Sequence, residues 1–118
     1  MNLFKSLMGG LASAGAASMD AAEAKAMISE KKPLILDVRE PNEYQAGHIQ
    51  GAKLIPLGSL AARLEELPRD REILCVCRSG SRSGQAARQL TNAGFTAINL
   101  RGGMIGWQSA GNPVKRGK

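Results

Sequence analysis

The chain has 118 residues, of which 43% are hydrophobic, so it is long enough to bury one core and too short for two. Its formal net charge is +6, but Lys5, Lys115, Arg116 and Lys118 lie near the ends, which leaves +2 for the body. Aromatic residues make up only 3%, which argues against a stacking platform for single-stranded nucleic acid. No apolar stretch reaches the roughly 18 to 20 residues that a membrane-spanning helix needs. We therefore expect a small soluble monomer that binds neither nucleic acid nor membrane.

The first 18 residues differ in composition from the rest, with the Gly-, Ala- and Ser-rich run GGLASAGAAS. Lys5 and Ala14-Gly15-Ala16 imitate the two ends of a secretory signal, whereas Gly9-Gly10 interrupts its apolar middle. The interpretation that we favour is a short amphipathic turn followed by a flexible linker, in a cytoplasmic protein, with periplasmic export as the alternative. The expected organisation is a flexible segment at 1–18, a folded domain at 19–114 and a basic tail at 115–118.

The predicted elements begin with a helix, because the stretch DAAE at residues 20–23 has the spacing of a capping box and an apolar helical face follows it. Pro33 ends this helix. The apolar run at 34–38 predicts a buried strand, and residues 52–55 predict a shorter one. Ser59 is predicted to cap a helix whose leucines face the core, at Leu60, Leu64 and Leu67.

The second half of the chain continues the alternation. Residues 72–76 predict the next strand, and apolar or small side chains at helical spacing predict a helix of about three turns from near Ser83, with Gly94 as its C-terminal glycine. Residues 97–100 predict the last strand, and a short helix carrying Trp107 follows. Strands that alternate with helices favour an α/β fold, a small parallel β-sheet flanked by helices on both faces.

The stretch CVCRSGSRSG at residues 75–84 places a cysteine where a predicted strand ends and a helix begins. In open α/β sheets, ligands bind beyond the carboxyl ends of the strands, where backbone N–H groups and the helix dipole attract negative charge. A thiol at Cys77, with Arg78 and Arg82 beside it, is therefore favoured as the thiolate, which is the nucleophilic form. Gly80 and its small neighbours allow the loop to curl tightly. Cys77 is the candidate nucleophile.

Other candidate residues have structural interpretations. Cys75 is too close to Cys77 to staple distant parts of a fold, which favours free thiols in a reducing compartment. We interpret Cys75 as core packing, with a resolving thiol as the alternative. His48 is the only histidine, so no metal cluster is expected around it and its role is taken as structural. Asp37 and Arg39 follow a buried strand and are interpreted as ion partners of their surroundings or of the loop that hold the scaffold.

Three separated stretches resemble the single-domain rhodaneses, the thiosulfate sulfurtransferase family. They are LILDVREPNEYQAGHIQGAKLIPL at 34–57, CRSGSRS at 77–83 and NLRGGMIGWQSAGNPV at 99–114. The resemblance spans residues 19–114 and implies a rhodanese-like fold without a cofactor. It also implies that Cys77 takes sulfur from a donor, holds it as a persulfide and passes it to a nucleophile.

The resemblance further implies that the loop after Cys77 binds the substrate. Its N–H groups would cradle the persulfide, and its two arginines would assist an anionic donor. The substrate-binding residues implied are Arg78, Ser79, Gly80, Ser81 and Arg82. The expected donor is thiosulfate or a persulfide, and the expected acceptor is cyanide or a thiol, with thioredoxin as one candidate.

Two alternatives stay open. Cysteine-dependent phosphatases place five residues between cysteine and arginine, whereas four separate Cys77 from Arg82, and no aspartate beside the loop offers a leaving-group acid. The second alternative is a non-catalytic rhodanese-like module that binds or regulates a partner. Such modules usually lack the loop cysteine, which is present here as Cys77.

Overall fold

The structure is a computed structural model that describes residues 17–118. The predictions of a flexible linker or a signal within residues 1–16 lie outside the described residues. Five parallel strands form one sheet in the order β1-β5-β4-β2-β3. The strands are β1 (Ala17–Met19), β2 (Leu34–Asp37), β3 (Lys53–Leu54), β4 (Ile73–Val76) and β5 (Ala97–Leu100).

Helices connect the strands. They are α1 (Ala21–Lys31), α2 (Pro41–Ala46), α3 (Leu57–Leu60) with a 3₁₀ helix directly after it (Ala61–Glu66), α4 (Ser81–Asn92) and α5 (Gly103–Ser109). Among residues 17–118, none of these helices combines the length and the apolar character needed to cross a bilayer.

The side chains of the central strands alternate between the two faces of the sheet, as the two-residue period of a strand requires. On β4, Ile73 and Cys75 join one core cluster, and Leu74 and Val76 join the other. α4 and the leucines around α3 cover the first face, whereas α1 and α5, which carries Trp107, cover the second. The predicted α/β fold with helices on both faces of a parallel sheet is therefore confirmed.

Several local signals act as predicted. Asp20 and Glu23 form the capping box, in which the Glu23 N–H donates to Asp20 Oδ1 and the Asp20 N–H donates to Glu23 Oε1, each at 2.9 Å. Gly94, just past α4, has a φ of +95°, the left-handed conformation in which glycine ends helices. β2, β4 and β5 lie within one residue of their predicted ends.

The prediction that Ser59 caps a helix is wrong, because α3 begins directly after Pro56 and Ser59 lies inside it. Pro56 has a φ of −54°, already close to the helical value, so the chain enters the helix without a side-chain cap. A kink at Arg63 then separates two short turns. Leu60 and Leu67 are still buried and Leu64 is half-buried, so the predicted apolar face survives the change in backbone.

Two further differences bear on the site. α4 begins at Ser81, two residues before the predicted start, because Gly80 adopts a φ of +106° and turns the chain directly into the helix. β1 has no counterpart among the predicted elements, since its residues Ala-Ser-Met form no apolar run. β1 pairs in parallel with β5 and forms one edge of the sheet.

Candidate active site

Cys77 directly follows β4, a central strand, at the carboxyl end of the sheet. Its side chain is almost covered, with 1% of the residue exposed. The Gly80 N–H donates to Cys77 Sγ at 3.1 Å, and the Ser83 hydroxyl lies 3.3 Å from the same sulfur. The end of the strand thus places the thiol close to the first turn of α4.

The electrostatic surroundings of Cys77 favour the thiolate. Burial works to raise the pKa of this thiol, but hydrogen bonds from the Ser83 hydroxyl and from the N–H groups of Ser83, Gly80 and Ser79 outweigh it. The net effect holds the pKa of Cys77 below its ordinary value. The loop therefore favours the thiolate form of Cys77, with Ser79, Gly80 and Ser83 as the groups that act on the sulfur.

α5 supports the loop from behind. The Met104 N–H donates to the carbonyl oxygen of Cys77 at 2.8 Å, and the Ile105 N–H donates to that of Arg78 at 3.1 Å. Gly103 has a φ of +57°, and a Cβ at this position would collide with the backbone carbonyl groups of Cys77 and Arg78. The pair Gly102-Gly103 in the sequence is the signal for this close approach.

Ser83 and Asn99 also belong to the site, although their part in it is not evident from the sequence. Ser83 Oγ lies 2.6 Å from Asn99 Oδ1, and Asn99 Nδ2 donates to the carbonyl oxygen of Gly80 at 3.2 Å. Because a hydroxyl carries one proton, Ser83 donates either to Asn99 or to the sulfur of Cys77 at any moment. The sequence signal that could have identified these two residues is their place in two of the three stretches quoted above. Ser83 is the last residue of CRSGSRS, and Asn99 is the first residue of NLRGG.

Arg82 faces α2. Its two terminal nitrogens donate to the two carboxylate oxygens of Glu43 at 2.8 and 2.9 Å. The Glu43 carboxylate also accepts the Glu40 N–H at 3.0 Å. The hydrogen bonds from Arg82 are the main cause that lowers the pKa of Glu43 to about 2. Glu43 therefore neutralises one of the two arginines of the loop.

A cleft of about 270 Å³ opens beside the loop. The residues that line it come from α2 and the residues flanking it, the loop and α5: Arg39, Glu43, Ala46, Gly47, Arg78, Met104, Ile105 and Gln108. Arg39 is held by the carboxylate of Asp37 at 2.7 Å, and both side chains are nearly buried, so the two residues are each other's ion partners, in keeping with a role in the scaffold. Arg78 is exposed.

The remaining candidates lie in the scaffold. Cys75 is fully buried, and burial is the main cause that raises its pKa to about 12, so this thiol stays protonated. His48 is buried, with Nδ1 2.7 Å from the carbonyl oxygen of Tyr44, whose ring it stacks on. Trp107 is buried and donates from Nε1 to the carbonyl oxygen of Pro113 at 2.9 Å.

The predicted basic tail lies against the body near this scaffold. Lys115 and His48 exchange backbone hydrogen bonds of 2.8 and 2.9 Å, and the Gly117 N–H donates to the carbonyl oxygen of Gln45 at 2.8 Å. These contacts fasten the C-terminal residues to the segment around α2.

Comparison with known proteins supplies the family. The family model for the rhodanese-like domain matches residues 20–110. YqhL of Bacillus subtilis is 45% identical over 78 residues, which cover 65% of this chain and 62% of YqhL, a little under two-thirds of its length. A sulfurtransferase of Allochromatium vinosum is 40% identical over 82 residues, which cover 69% of this chain and 77% of that protein.

The solved structures agree. A rhodanese-related protein from Thermoplasma volcanium superimposes with a TM-score of 0.79 at 32% identity, covering 84% of this chain and 97% of the other. The match of the domain includes both the loop that follows β4 and the support from α5. The chain therefore belongs to the rhodanese-like domain family, whose members similar to it include sulfurtransferases.

Proposed function

We propose that this protein is a sulfurtransferase that carries sulfane sulfur on Cys77. The single observation that carries the proposal is the set of hydrogen bonds around Cys77 Sγ, with the Gly80 N–H at 3.1 Å and the Ser83 hydroxyl at 3.3 Å. These donors favour a thiolate, which is the form that attacks sulfur. The name of the Allochromatium vinosum relative, a sulfurtransferase, supports the same reaction class.

In the first step, the Cys77 thiolate attacks the outer sulfur of the donor. A bond forms between Cys77 Sγ and that sulfur, and the bond between the two donor sulfurs breaks. The leaving group takes the electron pair, as sulfite from thiosulfate or as a thiolate from an organic persulfide. The negative charge then rests on the outer sulfur of the Cys77 persulfide, where N–H groups of residues 78–82 stabilise it.

In the second step, cyanide or an acceptor thiolate attacks the outer sulfur of the persulfide. A bond forms between the acceptor and that sulfur, and Cys77 Sγ leaves with the electron pair of the broken bond. The hydrogen bonds that lower the pKa of Cys77 also stabilise this leaving thiolate. Arg78, exposed at the mouth of the cleft, attracts anionic donors.

The phosphatase alternative is weaker on two observations. Arg82, which would have to hold a phosphoryl group, is already bound through both terminal nitrogens to Glu43. Glu43 is the carboxylate of the cleft, and its pKa of about 2 keeps it ionised at neutral pH, so it has no proton to give to a leaving group.

The test is a sulfur-transfer assay with thiosulfate and cyanide, read as thiocyanate release, together with intact mass after exposure to thiosulfate alone. We expect wild-type protein to gain the mass of one sulfur atom and to turn over. Cys77→Ser should retain the fold, because the change in volume is small, and should lose both signals because a hydroxyl cannot store sulfane sulfur. Replacing cyanide by a small thiol or by thioredoxin identifies the acceptor.

The same assay separates the remaining alternative. A folded wild-type protein that neither gains sulfur nor releases thiocyanate would favour a non-catalytic binding module. Sulfur gain that persists in Cys77→Ser would contradict the assignment of the nucleophile.

A further inference from the structure

Three guanidinium groups lie around the mouth of the Cys77 loop, and two of them are neutralised within the fold. Arg39 pairs with Asp37 at 2.7 Å, where both side chains are nearly buried. Arg82 is bound by both carboxylate oxygens of Glu43. Among residues 17–118, Arg78 has no carboxylate within ion-pair distance. The mouth therefore presents one free positive charge.

We propose that Glu43 is a specificity-determining residue: by neutralising Arg82 it favours singly charged organic persulfides over doubly charged thiosulfate as sulfur donors. This proposal rests on the proposed sulfur transfer at Cys77. It concerns which donor the site selects, and it assigns Glu43 no part in the breaking or forming of bonds.

The position of Arg82 explains how a carboxylate on α2 can act on the reaction. Arg82 lies on the first turn of α4, one residue before Ser83, whose hydroxyl is 3.3 Å from Cys77 Sγ. The hydrogen bond to Glu43 is the main cause that raises the pKa of Arg82, and the charge of the Cys77 thiolate adds to it, so Arg82 and Cys77 interact electrostatically. Glu43 cancels most of the field that Arg82 would otherwise direct at an anionic donor.

The geometry of Glu43 keeps its carboxylate charged and facing Arg82 across the physiological pH range. Glu43 is fixed from its own side by the Glu40 N–H, which donates to Oε1 at 3.0 Å. Its pKa of about 2 keeps it charged throughout the physiological range. Arg82 therefore does not leave the pair by protonation of its partner.

The shape of the cleft favours the same class of donor. Its volume of about 270 Å³ exceeds what a bare thiosulfate ion needs, and Ala46, Met104 and Ile105 contribute apolar surface to it. Ile105 is the exposed large hydrophobic residue of the described chain, with 46% of its surface accessible. A small organic group attached to the transferred sulfur would cover this surface, whereas thiosulfate would leave it in water.

The experiment measures how fast Cys77 acquires sulfur from two donors, thiosulfate and 2-hydroxyethyl persulfide, by quenched intact-mass time courses without acceptor. Electrostatic energy scales with the charge of the donor, so one added positive charge raises the logarithm of the rate twice as much for the dianion. We expect Glu43→Gln to raise the loading rate about tenfold with thiosulfate and about threefold with the persulfide.

Glu23→Gln is the matched control. Glu23 is the third residue of α1 and closes a capping box there, as Glu43 bonds back to the start of α2, but it lines no part of the cleft. This variant changes the net charge equally and should leave both loading rates unchanged. Equal changes with the two donors in Glu43→Gln, or none, would overturn the proposal.

A second variant covers the case in which Glu43→Gln does not fold. Arg78→Gln removes the exposed free charge and should lower the rate about tenfold with thiosulfate and about threefold with the persulfide. Equal losses, or none, would again overturn the proposal. Failure of wild-type protein to load from either donor would instead overturn the sulfur transfer itself, so the two failures are distinguishable.

Discussion

Cys75 and Cys77 lie two residues apart and belong to the same core cluster, yet the pKa values of their thiols move in opposite directions. Solvent accessibility does not distinguish them, since both residues are at most 1% accessible, although Cys75 lies deeper within the core. Cys75 lies within β4, where the backbone N–H groups serve the sheet, and burial raises its pKa to about 12. Cys77 lies one residue past the strand, where the groups that start α4 are free to bond its sulfur. The end of the strand therefore determines which thiol has a lowered pKa.

Among substitutions outside Cys77, the largest expected effect on turnover comes from removing the support that α5 gives to the Cys77 loop. Gly103→Ala should reduce thiocyanate formation about a hundredfold, because the added Cβ pushes α5 off the carbonyl groups of Cys77 and Arg78 and displaces the loop. Thermal unfolding should show a loss on the order of 3 kcal/mol. Thiocyanate formation and thermal unfolding are both measured on the purified variant.

Gly106→Ala on the same helix is the control, because a Cβ there would approach other atoms no closer than 3.9 Å. It should keep turnover and stability close to wild type. Wild-type turnover in Gly103→Ala would mean that the contact between α5 and the loop does not fix the position of the sulfur.

The next substitution should bring the pKa of Cys77 closer to that of Cys75 without disturbing the backbone. Ser83→Ala removes one donor to Cys77 Sγ and should raise the pKa of that thiol, with turnover at pH 7 falling about tenfold. The pH profile checks the cause. Turnover rises with pH as the thiolate forms, so the rising limb should move to higher pH in the variant and activity should partly recover there.

Ser79→Ala is the matched control, because Ser79 acts on the sulfur through its backbone N–H, which the substitution keeps. Its profile should overlay that of wild type. A Ser83→Ala profile that falls equally at every pH would show that the hydroxyl positions the loop and does not stabilise the thiolate.

The lowered pKa of the Cys77 thiol agrees with the prediction from the sequence because its cause is local. Cys77 follows an apolar run and precedes a helix, and the chain alone shows that backbone N–H groups must gather there. The partner of Arg82 was not predictable in this way, because Glu43 lies 39 positions earlier and meets it only when α2 packs beside the loop. Asn99, on the neighbouring strand β5, is a similar case. Local backbone chemistry was predictable, whereas tertiary pairing of side chains was not.

A thiolate titration measures the pKa values of the two cysteines directly. Ultraviolet absorbance of wild-type protein should show one thiolate that forms below the ordinary thiol pKa and a second that forms only at strongly alkaline pH. Cys77→Ser should lose the first and Cys75→Ser should retain it. A low-pH thiolate that persists without Cys77 would assign the lowered pKa to the wrong cysteine.

The smallest expected effect on turnover comes from the buried cysteine. Cys75→Ser should leave sulfur transfer within about twofold of wild type, because Cys75 stays protonated and contributes no nucleophile. It should instead lower the free energy of unfolding by about 2 kcal/mol, since the serine hydroxyl would be buried among apolar side chains without a hydrogen-bond partner. Cys75→Ala, which buries no polar group, should lower the free energy of unfolding less, and comparison of the two variants separates the effect of polarity from that of lost volume.

Because the folded state raises the pKa of Cys75, the contribution of this thiol to stability is complete below the ordinary thiol pKa and is lost as the pH rises toward about 12. The stability advantage of wild type over Cys75→Ala should therefore shrink in alkaline denaturation series. Loss of turnover in Cys75→Ser with unchanged unfolding free energy would make Cys75 a second catalytic thiol and would remove the contrast between the two cysteines.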